Sequence, residues 1–267
     1  MPARLVEKPW GRETLPPPFG AQPGRRIGEI WFDPPPALNS LLVKYIFTSE
    51  KLSVQTHPTG EQAQARGLGP RGKDECWLIV SAEPGAAVGI GFDREMDEVE
   101  LRRASLDGSI ETMLTWHPVQ PGDFFYIPAN TVHAIGPGVG LIEIQQNSDL
   151  TYRLYDYGRP RELHLDEGVK IARGEPYPER LHRRLQAEGH VKLADGAHFR
   201  VDRVDSDIPE SVARSYRGGP LVVVPLAGTV TVGESEMGFG RCGFASIVDD
   251  IRVGSDALCL LAQPVGT

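Results

Sequence analysis

The chain has 267 residues and a mass of 29.2 kDa, room for one large or two small domains around a sizeable core. An apolar fraction of 40% and a charged fraction of 24% are those of an ordinary globule, which excludes fibres, disordered tails and disulfide-stapled miniproteins. With 28 Lys and Arg against 36 Asp and Glu the net charge is −8, so nothing draws the whole molecule toward nucleic-acid phosphates or anionic lipid.

The 30 Gly and 23 Pro, about a fifth of the chain, favour many short strands over a helical bundle. Residues 1–40 carry two Pro triplets, at 16–18 and 34–36, around the apolar piece Ile27–Phe32, and read as edge strands and loops. Residues 40–47 are β-branched and aromatic and read as a strand. Residues 52–57 alternate with period two, which places Ser53, Gln55 and His57 on one face. A polar loop with one helical turn is expected over 59–74, then a strand over 75–80. Two short helices are expected within 93–115, broken at Asp107-Gly108. Strands follow over 122–128, 132–135 and 140–145, and a helix over 163–172 leaves this unit. Residues 174–195 read as a connector. From His198 onward short strands return, notably at 220–232 and 257–261, as a second, smaller β domain. Gly240, Ile247 and Ile251 loosely echo Gly122, Pro128 and His133 without the histidine, so metal chemistry is expected only in the first half. The division expected is 1–173 and 174–267.

The run from Gly122 to His133 has the form Gly, five residues, Pro, four residues, His. A strand, a tight turn and a second strand would present the imidazole at a barrel mouth, and the pattern resembles the second motif of the cupin jelly-roll barrels. Asn130 stands where the turn needs a positive φ, which Asn tolerates better than most residues. His57 and Gln55 share a face one strand upstream, and Glu75 opens the next strand. Two imidazoles, a carboxylate and an amide oxygen suit Zn²⁺ or another borderline divalent ion with positions left for water or substrate. Each of these residues alone is more simply a hydrogen-bonded structural side chain; the combination is what points to a metal. The expected fold is mainly β, a cupin-type barrel with a few short helices and a smaller C-terminal β domain.

Five segments, in order, resemble the type I phosphomannose isomerases in their short bacterial form: 41–44, 52–58, 72–77, 122–136 and 143–159. The last, Glu-Ile-Gln-Gln-Asn-Ser-Asp-Leu-Thr-Tyr-Arg-Leu-Tyr-Asp-Tyr-Gly-Arg, is the longest. The resemblance covers about residues 5–172; beyond 173 it extends only to the presence of a small β domain. It implies a one-zinc aldose–ketose isomerase that interconverts mannose 6-phosphate and fructose 6-phosphate. By motif, Gln55, His57, Glu75 and His133 are the implied zinc ligands. Arg153 is the implied active-site arginine, Lys73 a lysine beside the metal, and Glu143 and Asp149 acid/base candidates.

The chemistry asks for the same residue types. Moving a proton between C1 and C2 through an enediol(ate) needs a general base and a way to hold negative charge on adjacent oxygens, which a divalent ion, Arg or Lys supplies. A phosphate in an acidic protein needs local donors, for which Ser53, Lys73 and Arg153 are the candidates. Taken alone, Arg153 would read as a surface ion-pair partner of Asp149 and Lys73 as a solvated loop charge. Glu143, between Ile142 and Ile144, faces away from them, where a buried carboxylate needs a partner. A catalytically idle, sugar-phosphate-binding metallo-cupin is the competing reading, and it predicts loss of Arg153 and Lys73, both of which are present. An iron oxygenase of the same fold expects two His two apart with a Glu close behind, whereas Glu75 lies eighteen residues after His57.

No stretch approaches the ~18–20 apolar residues of a spanning helix, and the first thirteen residues lack a signal peptide's apolar core. Cys76, Cys242 and Cys259 form no CxxC. A cytoplasmic monomer or homodimer is expected, with a small sugar phosphate as partner and neither nucleic acid nor membrane.

Overall fold

The computed structural model describes residues 1–186 and 188–265. The Pro-rich start forms β1 (Ala3–Arg12) and β2 (Ile27–Phe32), followed by β3 (Leu41–Phe47) and β4 (Val54–Thr56). After α1 (Gly60–Ala65) come β5 (Glu75–Ala82) and β6 (Ala87–Phe92), then α2 (Glu98–Asp107) and α3 (Ile110–Met113). β7 (Leu114–Pro118), β8 (Asp123–Ile127), β9 (His133–Ile135), β10 (Val139–Gln146) and β11 (Tyr152–Tyr155) lead to α4 (Leu165–Ile171) and β12 (His182–Arg184). The remainder is β13 (Val191–Asp195), β14 (Phe199–Asp205), α5 (Glu210–Tyr216), β15 (Leu221–Ala227), β16 (Val230–Val232), β17 (Ser235–Met237), β18 (Gly243–Ala245), β19 (Ile251–Val253) and β20 (Leu258–Pro264). The molecule is mainly β, as expected.

The local signals are visible. Thr59 and Gln62 form a reciprocal capping box that starts α1, and Asp97 caps α2 by accepting from Glu100 N at 2.8 Å. Gly108, at φ +83°, ends α2 at the Asp107-Gly108 break.

Two antiparallel sheets make the first half. One has seven strands in the order β1-β2-β3-β10-β5-β8-β12, the other five in the order β11-β4-β9-β6-β7. They pack face to face through Ile46, Trp77, Ile79, Phe125 and Leu141 on one side and Val88, Ile90 and Ile135 on the other. Helices α2, α3 and α4 cover the outer face of the five-stranded sheet through Leu101, Ile110 and Val169. The other face of the seven-stranded sheet, with Tyr45, Cys76, Phe124 and Ile142, packs against Phe199, Val201, Val222 and Leu260 of the C-terminal half. A sheet covered on both faces needs apolar side chains in both directions, and every residue of β3 and of β10 is buried. This is why residues 41–47 are apolar on both faces, Lys44 excepted, and do not alternate.

The connector expected over 174–195 is in part woven into the first half. Pro176 bridges Gly91, the Tyr177 hydroxyl donates to the Tyr126 and Leu181 carbonyls at 2.8 and 2.9 Å, and β12 adds to the edge of the large sheet beside β8. The exposed backbone edge of β8 supplies the reason: a few residues of β12 pair its open donors and acceptors. In the C-terminal half, a five-stranded sheet in the order β13-β14-β20-β15-β18 carries the shared core and β16, β17 and β19 form a second sheet. Its β18, turn and β19 stand where the echo of the Gly122 to His133 run was read.

Phe199 is fully buried in the core common to both halves. Phe199→Ala is expected to cost about 3–5 kcal/mol. Because that core is shared, calorimetry should show one transition moved to lower temperature; two transitions with one unmoved would contradict the shared core.

Candidate active site

Strand β10 lies between β3 and β5, and its Glu143 stands opposite Lys44 on one side and Trp77 on the other. Residues directly opposite in an antiparallel ladder point to the same face, so all three project into the gap between the sheets. Lys44 Nζ is 3.0 Å from Glu143 Oε2 and 4.4 Å from the centre of the Trp31 ring, and Trp77 Nε1 donates to Glu143 Oε1 at 3.3 Å. Lys73 approaches from the loop before β5, with Nζ 3.8 Å from Glu143 Oε1 and donating to Glu75. All four charged side chains are buried. Burial alone would raise Glu143, but Lys44 and Lys73 hold its carboxyl down at about 2.

Beside this row the two sheets and the loop after β4 bring three candidate ligands together. His57, Glu75 and His133 offer donor atoms that lie within 4.8 Å of one another. Glu75 Oε1 is 3.4 Å from His133 Nε2, and Glu75 Oε2 is 3.6 Å from His57 Nε2. His57 Nδ1 faces the Leu150 carbonyl at 2.8 Å and His133 Nδ1 the Thr131 carbonyl at 3.0 Å. A carbonyl only accepts, so each Nδ1 carries the proton and each Nε2 turns its lone pair inward, where Lys73 Nζ donates to that of His57 at 3.1 Å. Burial first, and then the Lys73 ammonium, keeps His57 well below the usual imidazole range and brings His133 down to about 3, so both rings are neutral. Gln55 pairs with His133 in the β4–β9 ladder, and its amide reaches His133 Nε2 at 3.3 Å while accepting from Ser53 Oγ at 3.1 Å. A half-turn of that amide brings its oxygen to the same point.

The turn before His133 is held by Asn130, at φ +72°, whose backbone N and Nδ2 both donate to the His57 carbonyl, at 2.8 and 3.0 Å. One short side chain thus ties the two histidine-bearing segments. Buried Glu75 Oε1 has no hydrogen-bond partner, and with two Nε2 lone pairs converging beside it the donor set fits a divalent cation.

The gap continues into a cavity of about 220 Å³ lined by Lys8, Lys44, Lys73, Arg153 and Arg161 against Glu29, Glu143 and Asp149, with Ser53, Gln55 and Trp77 in its wall. In a chain of net charge −8 this concentrates positive charge in one place. Lys8 pairs with Glu29 at 3.4 Å and Arg161 with Asp156 at 2.6 Å. Arg153 makes no ion pair with Asp149 or any other carboxylate among the described residues; its Nη1 donates to the Glu162 carbonyl at 2.7 Å and its buried Nε has no partner.

Every site residue expected from sequence thus lines the donor group or the cavity. Lys44 is the residue that sequence reasoning passed over, together with Lys8, Glu29 and Arg161. Its signal was present: Lys44 is the one charge in an otherwise apolar strand of seven residues.

Two facing antiparallel sheets make a fold of the cupin kind, and its buried His, Glu and His group could hold a metal ion. The chain is 39% identical over 172 residues, 61% of its length, to mannose-6-phosphate isomerase ManA of Bacillus subtilis, of which it covers 54%. It spans about half the length of the curated relatives it matches. No family model matches. The crystal structure of a Bacillus subtilis mannose 6-phosphate isomerase superposes with a TM-score of 0.75 at 23% identity, covering 98% of both chains. That of a zinc-bound mannose 6-phosphate isomerase gives 0.74 at 14% identity, over 99% of this chain and 98% of the other. By name these similar proteins are mannose-6-phosphate isomerases, and the solved structures among them share this chain's fold.

His133→Ala removes one imidazole and should abolish tight binding of one divalent ion per chain, read by metal analysis after gel filtration. Burial pushes Glu75 up to about 8 against the pull of Lys73, so below that pH metal uptake must expel a proton. Affinity measured by chelator competition should therefore tighten as pH rises toward about 8 and level off above it.

Proposed function

We propose that the chain is a zinc-dependent aldose–ketose isomerase that interconverts mannose 6-phosphate and fructose 6-phosphate through an enediol(ate). The observation that carries this reading is the His57, Glu75 and His133 group directly behind Gln55 and Lys73, two wall residues of a small cavity where Lys73, Arg153 and Arg161 concentrate positive charge. Gln55, His57, Glu75 and His133 would hold the ion, which when bound polarises the carbonyl and hydroxyl oxygens of a sugar. The names of the relatives give the substrate; the cavity's size and charge agree with a small phosphorylated sugar.

The chain's own groups divide the remaining work. Arg153, with an unpartnered buried Nε, and Ser53 are placed to donate to substrate oxygens, and Arg153 stabilises negative charge as the enediolate develops. Glu143 has its oxygens engaged by Lys44, Lys73 and Trp77 and serves as a fixed anion that holds Lys73 in the cavity. Lys73 and Asp149 are left to move the proton between C1 and C2. Trp77 and Leu52 in the cavity wall limit water around the intermediate. Cys76, Cys242 and Cys259 are buried and unpaired, in keeping with a reducing, cytoplasmic setting. Among the described residues no helix is long and apolar enough to cross a membrane.

The test is a coupled assay of mannose 6-phosphate conversion on the chain as purified, after chelation, and after zinc is restored. Activity should vanish and return. Arg153→Ala should keep the metal and lose about 10²-fold or more in kcat/KM. No turnover in any state with metal bound would leave a sugar-phosphate-binding protein, and near-normal rates in Arg153→Ala would overturn that residue's assignment.

A further inference from the structure

Asp74 stands between two functional residues, Lys73 and Glu75, and every polar group it owns is used. Its Oδ2 accepts from the Tyr126 hydroxyl at 2.7 Å and its Oδ1 from Ala129 N at 2.9 Å. Its backbone N donates to Gln146 Oε1 at 3.0 Å, and its carbonyl accepts from Gln146 N at 3.0 Å. One residue therefore joins the start of β5 to the end of β10 and to the turn that leads into β9 and His133.

Tyr126 extends the link outward. Alternation along β8 sends Phe125 and Ile127 into the gap between the sheets and Phe124 and Tyr126 to the opposite face, toward the C-terminal half. There the Tyr126 ring lies 5.8 Å from that of Phe199. Gly196, in the β13–β14 turn, passes so close that a Cβ on it would lie 2.7 Å from the Tyr126 oxygen. The hydroxyl is thereby held against the C-terminal half on one side and spent on Asp74 on the other.

We propose that Asp74 and Tyr126 are positioning residues: a clamp through which the C-terminal half fixes the aim of Lys73 and Glu75 into the metal and substrate site. Neither touches the cavity, so they act only through their neighbours. The proposal rests on the metal-binding isomerase reading above, and it gives the second half of the chain a part in the site that lies wholly in the first. Groups outside the ligands that fix a ligand's position typically cost about 10–100-fold in metal affinity or activity when lost.

The experiment uses the full chain, stripped of metal and reloaded with Co²⁺, whose visible ligand-field bands report the geometry of the donor set. Three variants are compared with the parent: Tyr126→Phe, which removes one oxygen and keeps the ring, Asp74→Ala, and Asp74→Asn, which still offers an oxygen to Ala129 N and an NH₂ to the Tyr126 oxygen. Tyr126→Phe and Asp74→Ala should shift the bands and weaken Co²⁺ by about 10-fold or more, and with zinc should lower kcat while KM stays within about two-fold. Asp74→Asn should restore most of both. Unchanged bands and affinity in Tyr126→Phe overturn the clamp, whatever the activity. A parent chain that binds Co²⁺ but turns over no sugar phosphate overturns the isomerase reading alone, the clamp still being judged on the spectra. A parent that binds no Co²⁺ overturns both.

Discussion

Four charged side chains, Lys44, Lys73, Glu75 and Glu143, stand buried in the gap between two sheets, beside His57 and His133 and next to an apolar core. Taking such groups out of water costs several kcal/mol each unless each is paired, and removing one partner of such a pair typically costs about 3–5 kcal/mol. The pairing is met by register: Glu143 is placed opposite Lys44 by the β3–β10 ladder and beside Trp77 by the β5–β10 ladder. A slip of one residue would turn Lys44 and Glu143 to the face packed on the C-terminal half. The charge cluster thus locks the central strands as firmly as the hydrophobic contacts do, and the donor group is built on strands so locked.

Positive charge in the cavity follows from the same arrangement. Once Glu75 is ionised, two carboxylates and two ammonium groups balance within the cluster, and the site's surplus comes from its rim, where Arg153 lacks a carboxylate and Arg161 shares Asp156 with Arg159. An acidic protein can in this way offer a cationic pocket without a basic surface. The neutral imidazoles are the counterpart: burial beside Lys73 keeps His57 and His133 unprotonated, the form in which they can bind a metal.

Segments with local chemistry were legible in advance. The period-two pattern at 52–57 put Gln55 and His57 on one face, the Gly, Pro, His spacing of 122–133 gave the strand–turn–strand that carries His133, and Asp107-Gly108 marked the end of a helix. Lys44 was harder, because a lysine in an apolar strand carries no sign of its partner until β10 is laid beside it. The connector at 174–195 read as a linker because β12 has only three residues, too few for a periodic signal, and exists only where β8 offers an open edge.

The sequence by itself determined the mainly β class, the set of residues able to bind a metal and the family resemblance, since each rests on residue type and short spacing. Only the tertiary structure decided which of them meet. Glu75 and His133 come from two different sheets and His57 from the loop just after β4, and Glu143 meets Lys44 ninety-nine positions upstream. Long-range strand pairing sets those distances, and it depends on the packing of both sheet faces at once, including the face covered by the C-terminal half. No local pattern along the chain encodes that.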